Sequence, residues 1–270
     1  MIGILDWGIG GLGFFRALRA RHPQIAVVYW SDAGETPYGK LPASRLAARV
    51  RTVAGRMADL GVRRVVVACH AASTVLPLLG VAGTAGMVDT AAGPVEMTGV
   101  IAHAVHMVGG GDPRARRDDV DVVGIIGGRR TIRSGIYRRA LGARGRTIHQ
   151  RVAQPLSARV EAGDLSSAAL GRELDAILGP LRAADRVLLA CTHYPALAAR
   201  IAERLPGVRL LDPVDAMLAW VSRHWRRAGA AAPDRFLTTG DPAAMRRAAA
   251  AAFGVHLDRV RRIPVSIRAA

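Results

Sequence analysis

Residues 64–69 read Arg64-Val65-Val66-Val67-Ala68-Cys69, and residues 186–191 read Arg186-Val187-Leu188-Leu189-Ala190-Cys191. Each is a short, continuously apolar run that ends on a cysteine. A strand apolar at every position, instead of every second one, is the pattern of a sheet covered on both faces. The two cysteines are 122 residues apart (191 − 69), and Gly3-Ile4-Leu5-Asp6 resembles Gly124-Ile125-Ile126-Gly127 at an offset of 121 (124 − 3). Two matches at nearly one spacing point to two similar α/β halves. Chance likeness between buried strands is the competing explanation.

Outward from these runs, further strand-like segments occur at Ile2–Asp6, Ile25–Trp30, Val122–Ile126, Val208–Leu211 and Arg235–Thr238. Between them lie helix-like patterns at 42–59, 131–141, 165–183, 213–228 and 242–252. This alternation predicts βαβ units, hence mostly parallel sheets flanked by helices, with ligands at the carboxyl ends of the strands. Asp6, Cys69 and Cys191 each close a predicted strand. The stretch from Gly109-Gly110-Gly111 through the charged run to Asp121 reads as an exposed loop.

A chain of 270 residues, half of them apolar, can bury a real core and reads as globular. No apolar run is long enough to span a bilayer, and the N-terminus lacks the basic, then apolar, pattern of a signal peptide. Two cysteines cannot build a disulfide framework, so the expected compartment is reducing, the cytoplasm. The net charge of +17 comes almost wholly from arginine, with Lys40 the only lysine. Arginine-rich solvated helix faces account for it most simply. Attraction of small anions and nucleic-acid binding remain open, although no helix-turn-helix, zinc-finger or RNP pattern supports the latter.

Two motifs carry chemistry. Gly8-Ile9-Gly10-Gly11-Leu12-Gly13 fits G-x-G-x-x-G between a strand and a helix, and Asp32 follows 19 residues later (32 − 13). That is the context of a dinucleotide site. Against it, Asp6 stands immediately before the loop, where its charge would face a pyrophosphate. The second motif is the cysteine pair. A thiol at a strand end beside a helix start can be held as a thiolate, while an isolated Cys of this kind is as readily a small core residue. Matched positions in two similar halves favour a paired role. Inverting a stereocentre needs a base on one face of a carbon and a proton donor on the other, and two facing halves supply both. Asp6 is the expected helper of Cys69, and His193 of Cys191. His103 and His106 share a helix face, but no third metal ligand is evident, so no metal is expected.

The chain resembles the glutamate racemase family, within the aspartate/glutamate racemase superfamily, over nearly its whole length. The likeness runs through Ile2–Asp6 and the glycine loop, Asp32 to Pro37-Tyr38-Gly39, Ala68-Cys69 with Ala72-Ser73, and Thr131, Ser134 and Tyr137. It continues through Glu161-Ala162-Gly163, Cys191-Thr192-His193-Tyr194-Pro195 and Thr238-Thr239-Gly240-Asp241-Pro242. The resemblance implies an α/β fold of two pseudosymmetric domains, 1–93 plus 212–270 and 94–211, with the active site in the cleft between them. It implies cofactor-independent racemisation of an amino acid, a homodimer, and a place in cell wall biogenesis. Cys69 and Cys191 would be the two bases, assisted by Asp6, His193 and Glu161. Trp7, Pro37, Tyr38, Gly39, His70, Ala71 and Thr192 would surround the substrate. Two departures bear on specificity: Trp7 replaces the family's Ser, and His70-Ala71 replaces its Asn-Thr. A related isomerase with a less polar or aromatic substrate is therefore a second expectation. A non-catalytic module binding nucleic acid or protein is a third.

Overall fold

The computed structural model describes residues 1–110, 121–142, 146–225 and 232–264. Its strands are β1 (Ile2–Asp6), β2 (Val27–Ser31), β3 (Arg64–Val67), β4 (Ala85–Val88), β5 (Val95–Gly99), β6 (Val122–Gly127), β7 (Thr147–Val152), β8 (Arg186–Ala190), β9 (Arg209–Leu211), β10 (Arg235–Thr238) and β11 (Val260–Arg262). The α-helices are α1 (Leu12–Arg21), α2 (Ala43–Asp59), α3 (His70–Ser73), α4 (Val100–Gly109), α5 (Arg129–Arg133), α6 (Ile136–Gly142), α7 (Gln154–Glu161), α8 (Ala168–Leu178), α9 (Ala198–Ala202), α10 (Val214–His224) and α11 (Pro242–Phe253).

Among the described residues the strands form two sheets, ordered β11-β10-β2-β1-β3-β5-β4 and β7-β6-β8-β9. All neighbours are parallel except β4 and β5. Successive side chains of a strand face opposite sides, and in β3 this sends Val66 to one core cluster and Val65 and Val67 to another. The first cluster also takes Ile125 and Leu188 from the second sheet, so one core runs through both halves.

The internal repeat is visible in the hydrogen-bond register. Gly3 of β1 pairs with Val65 of β3, and Gly124 of β6 pairs with Val187 of β8. In both places the glycine makes room for that valine: an added methyl would lie 3.1 Å from Val65 Cγ2 or 2.8 Å from Val187 Cγ2. The two sequence offsets thus mark the same βαβ packing used twice.

Several boundaries differ from expectation. Val95–Gly99, just beyond the expected boundary at 93, pairs with β3 inside the first sheet. The segment read as one helix over 131–141 is broken at Gly135, whose φ of +67° suits glycine. Gly109 ends α4 instead of opening a loop. Residues 111–120 of the expected charged loop, and 226–228 of the predicted helix, lie outside the described residues. No helix among the described residues is long and apolar enough to cross a membrane.

Candidate active site

Asp6 ends β1, Cys69 follows β3 by two residues, and Cys191 follows β8 directly. Parallel pairing of β1 with β3 brings the first two together at the carboxyl edge of one sheet. Asp6 is wholly buried, and a buried carboxylate must find donors. Trp7 N–H donates to Oδ1 at 2.7 Å, and the Thr192 hydroxyl donates to Oδ2 at 2.9 Å. The second bond crosses from the other half. The Cys69 thiol lies beside the same carboxylate, and burial holds Asp6 above the ordinary carboxylate range despite the charge of His193 and these donors. Burial, then the Asp6 charge, pushes the Cys69 thiol well up, and charge on Cys191 adds to the effect.

Cys191 has a different neighbour. Its Sγ lies 3.6 Å from His193 Nδ1, and His193 Nε2 lies 2.6 Å from Glu161 Oε1. Burial opposes protonation of this imidazole, but the hydrogen bonds and charges of Cys191 and Glu161 outweigh it and hold His193 well above its usual value. Glu161 Oε1 also accepts the Ile9 N–H at 2.8 Å. The chain Cys191–His193–Glu161 thereby ends on the glycine loop of the first half.

That contact explains the glycines. A methyl on Gly8 would sit 1.8 Å from Glu161 Oε1, and one on Gly10 would sit 2.3 Å from Thr192 Oγ1. The loop is bare so that the second half can close on it. The dinucleotide reading loses its support here, because a carboxylate already takes a loop amide where a pyrophosphate would need donors. Asp32, the candidate ribose partner, is buried and engaged elsewhere. Arg49 holds it at 2.6 and 2.8 Å, the Tyr38 hydroxyl at 2.7 Å and the Thr239 hydroxyl at 3.1 Å.

The residues expected around a substrate divide into several settings. Thr192, expected as a substrate ligand, spends its hydroxyl on Asp6. Tyr38, expected to touch substrate, is buried with its hydroxyl on Asp32, while Pro37 and Gly39 on either side of it are half-buried. Trp7 is half-buried, donates Nε1 to Glu35 O at 3.1 Å, and packs with Ala71 on the apolar cluster that includes Cys69. His70 is buried with neither ring nitrogen hydrogen-bonded, and burial lowers its pKa to about 3. Its ring centroid lies 6.3 Å from that of Tyr137, whose buried hydroxyl is likewise unpartnered. His70, Cys191, Gly10 and Thr192 border one narrow cavity.

Two residues escaped the sequence reading. Arg130 of α5 donates Nε to Tyr38 O at 3.1 Å and Nη2 to Leu41 O, reaching the Pro37–Gly39 loop from the other half. Gln154 of α7 lies beside Gly39, where an added methyl would be 3.3 Å from its Oε1. Neither sits in a motif, and one arginine is inconspicuous in a chain so rich in them. Among the described residues no group of three or more His, Cys, Asp or Glu side chains is placed to hold a metal. His103 instead pairs with Thr98 Oγ1 at 2.7 Å.

Two parallel-sheet halves with strand-end thiols define a recognisable class. The family model described as Asp/Glu/Hydantoin racemase matches residues 100–221. A glutamate racemase of Beutenbergia cavernae is 32% identical over 283 residues, covering 96% of this chain and 91% of that protein. The crystal structure of Thermus thermophilus glutamate racemase in complex with β-chloro-D-alanine aligns with a TM-score of 0.80 at 28% identity, covering 97% of this chain and 96% of that one. Glutamate racemase from Francisella tularensis, solved in complex with D-glutamate, shares the fold with a TM-score of 0.80 at 20% identity, covering 98% of this chain and 97% of that one. The chain belongs to the glutamate racemase family, and so to the racemases, enzymes of the isomerase class.

Proposed function

We propose that this enzyme racemises glutamate by two-base proton transfer at the α-carbon, without a cofactor. Cys69 as thiolate takes the α-proton of the D-enantiomer while the Cys191 thiol delivers a proton to the opposite face, and the L-enantiomer reverses the two roles. Each step moves one proton onto one sulfur and one off the other, so the thiols exchange protonation states on each turnover. Asp6 accepts from or returns a proton to Cys69. His193, with its charge supported by Glu161, does so for Cys191. The observation that carries this reading is the pairing of two strand-end thiols in equivalent registers, each with its own ionisable neighbour. Trp7, Pro37, Tyr38, Gly39, His70, Ala71 and Thr192 form the surroundings of the substrate, some directly and some by holding others.

Incubation with glutamate in D2O should place deuterium on the α-carbon in both directions. No exchange across a broad panel of amino and hydroxy acids would end the proposal. Trp7 and His70 favour a second reading, a less polar substrate, because each replaces a small hydrogen-bonding side chain with a ring. The same panel separates the two. We further assign the units as 1–99 with 212–270, and 100–211, the boundary having moved to the end of β5. A cytoplasmic location is supported by the two free thiols. A homodimer accords with the exposed Leu78 and Met87, 60% and 57% accessible, and light scattering of the purified chain tests it.

A further inference from the structure

The Pro37–Gly39 loop is held at several points. The Tyr38 side chain is anchored inward, its hydroxyl donating to Asp32 at 2.7 Å. The Tyr38 carbonyl accepts from Arg130 Nε at 3.1 Å, and the Leu41 carbonyl accepts from Arg130 Nη2. Gln154 lies against Gly39 and accepts the Arg129 N–H at 2.9 Å, which ties it to the same segment as Arg130. Lys40 N–H closes the turn on Pro37 O at 2.7 Å.

A trans peptide is planar, with its N–H antiparallel to its C=O. Pinning the Tyr38 oxygen therefore also fixes the direction of the Gly39 N–H. Donation to the carbonyl polarises the peptide as well, which makes that N–H a better donor. Among the described residues neither the Tyr38 nor the Gly39 N–H has a protein acceptor. Two successive amides, fixed in direction and without an acceptor, are suited to an anion.

We infer that Arg130 is a positioning residue for substrate recognition. Its guanidinium fork, reaching across from the second half, holds the Tyr38 and Leu41 carbonyls so that the adjacent amides stay presented to the side-chain carboxylate of an acidic substrate. The inference rests on the glutamate reading above. Arg130 itself does not touch the substrate. A guanidinium suits the task because its donors are fixed in one plane and can hold two carbonyls at once, which a lysine ammonium cannot do with the same geometry.

The test compares Arg130→Ala and Arg130→Lys with the unaltered enzyme on glutamate and on glutamine, which has the same length without the charge. For Arg130→Ala, KM for glutamate should rise about tenfold or more while kcat stays within about threefold and KM for glutamine holds, with Arg130→Lys intermediate. Added methylguanidinium should lower the raised KM of Arg130→Ala. A glutamate KM unchanged in both variants overturns the inference, and so does an equal loss on both amino acids without rescue. A second readout needs no turnover. Amide hydrogen exchange across residues 36–42 should quicken about tenfold in Arg130→Ala, and an unchanged rate also overturns the inference. If the unaltered enzyme exchanges no α-hydrogen, the racemase reading falls, and the amide exchange still decides whether the clamp exists.

Discussion

Replacing His70 by Asn should make the protein less sensitive to acid, by an amount the structure fixes. His70 is 3% exposed with no hydrogen bond to either ring nitrogen, and its pKa falls from 6.5 in the unfolded chain to about 3 in the folded one. Between those values the unfolded chain binds a proton that the folded chain refuses. Stability therefore falls as pH falls through this window and is unaffected above it. At pH 5 the unfolded imidazole is about 1.5 pH units below its pKa, which at about 1.36 kcal/mol per unit amounts to about 2 kcal/mol lost relative to pH 8. Asparagine is polar, smaller and does not titrate. Urea unfolding at pH 8 and pH 5 should therefore show a smaller drop for His70→Asn than for the unaltered protein, the difference being about 2 kcal/mol. His103, lowered to about 4 by burial first, titrates in both proteins and cancels. Equal drops in the two proteins would refute the reasoning. His70 would then be reachable by solvent in the native state, or already protected when unfolded.

The remaining expectations concern the site. Cys69→Ala and Cys191→Ala should each lower racemisation by about a thousandfold or more, measured by circular dichroism of the product, and retention of a tenth of the activity would sink the two-thiol scheme. Glu161→Gln keeps an acceptor for Ile9 N–H but removes the charge facing His193, so the imidazole pKa should drop and the matching limb of the pH–rate profile should move to lower pH; an unmoved limb would show that Glu161 does not set that ionisation. Gly10→Ala places a methyl 2.3 Å from Thr192 Oγ1, while Gly13→Ala meets only the Phe253 ring at 3.5 Å. The first should cost about 1–3 kcal/mol and the second should be tolerated, and urea melts giving the two equal stability would contradict the account of the glycine loop.

Most of the strands legible in the sequence are interior to their sheets, with Val208–Leu211 an exception at an edge. Ile2–Asp6, buried throughout, and Arg235–Thr238, whose first residue is exposed, both match their expected bounds. Thr147–Val152 went unseen because it is an edge strand with mostly exposed side chains, which need not be apolar. Ala85–Val88 and Val260–Arg262 are also edges. At the site, the thiols and their neighbours His193 and Asp6 could be named from position alone, since strand ends gather function in such sheets. What could not be named were contacts between halves. Thr192 reaching Asp6 at 2.9 Å, Glu161 reaching Ile9 N–H at 2.8 Å and Arg130 reaching Tyr38 O at 3.1 Å join residues 186, 152 and 92 positions apart. No local pattern encodes such separations.

The twofold repeat fails at one instructive point. Asp6 corresponds by the offset of 121 to Gly127, where an added methyl would meet Ile132 Cδ1 at 3.1 Å and Ala190 O at 3.2 Å, so a side chain there would crowd both. One sulfur consequently lies beside an acid and the other beside an imidazole. Mirror-image amino acids have equal free energies in water, so detailed balance obliges the two directions to share one specificity constant at every pH. Under the proposed reaction, the unlike neighbours can only redistribute that shared constant between turnover and saturation. One enantiomer would be held tightly and converted slowly, the other loosely and quickly, in proportions that shift with acidity.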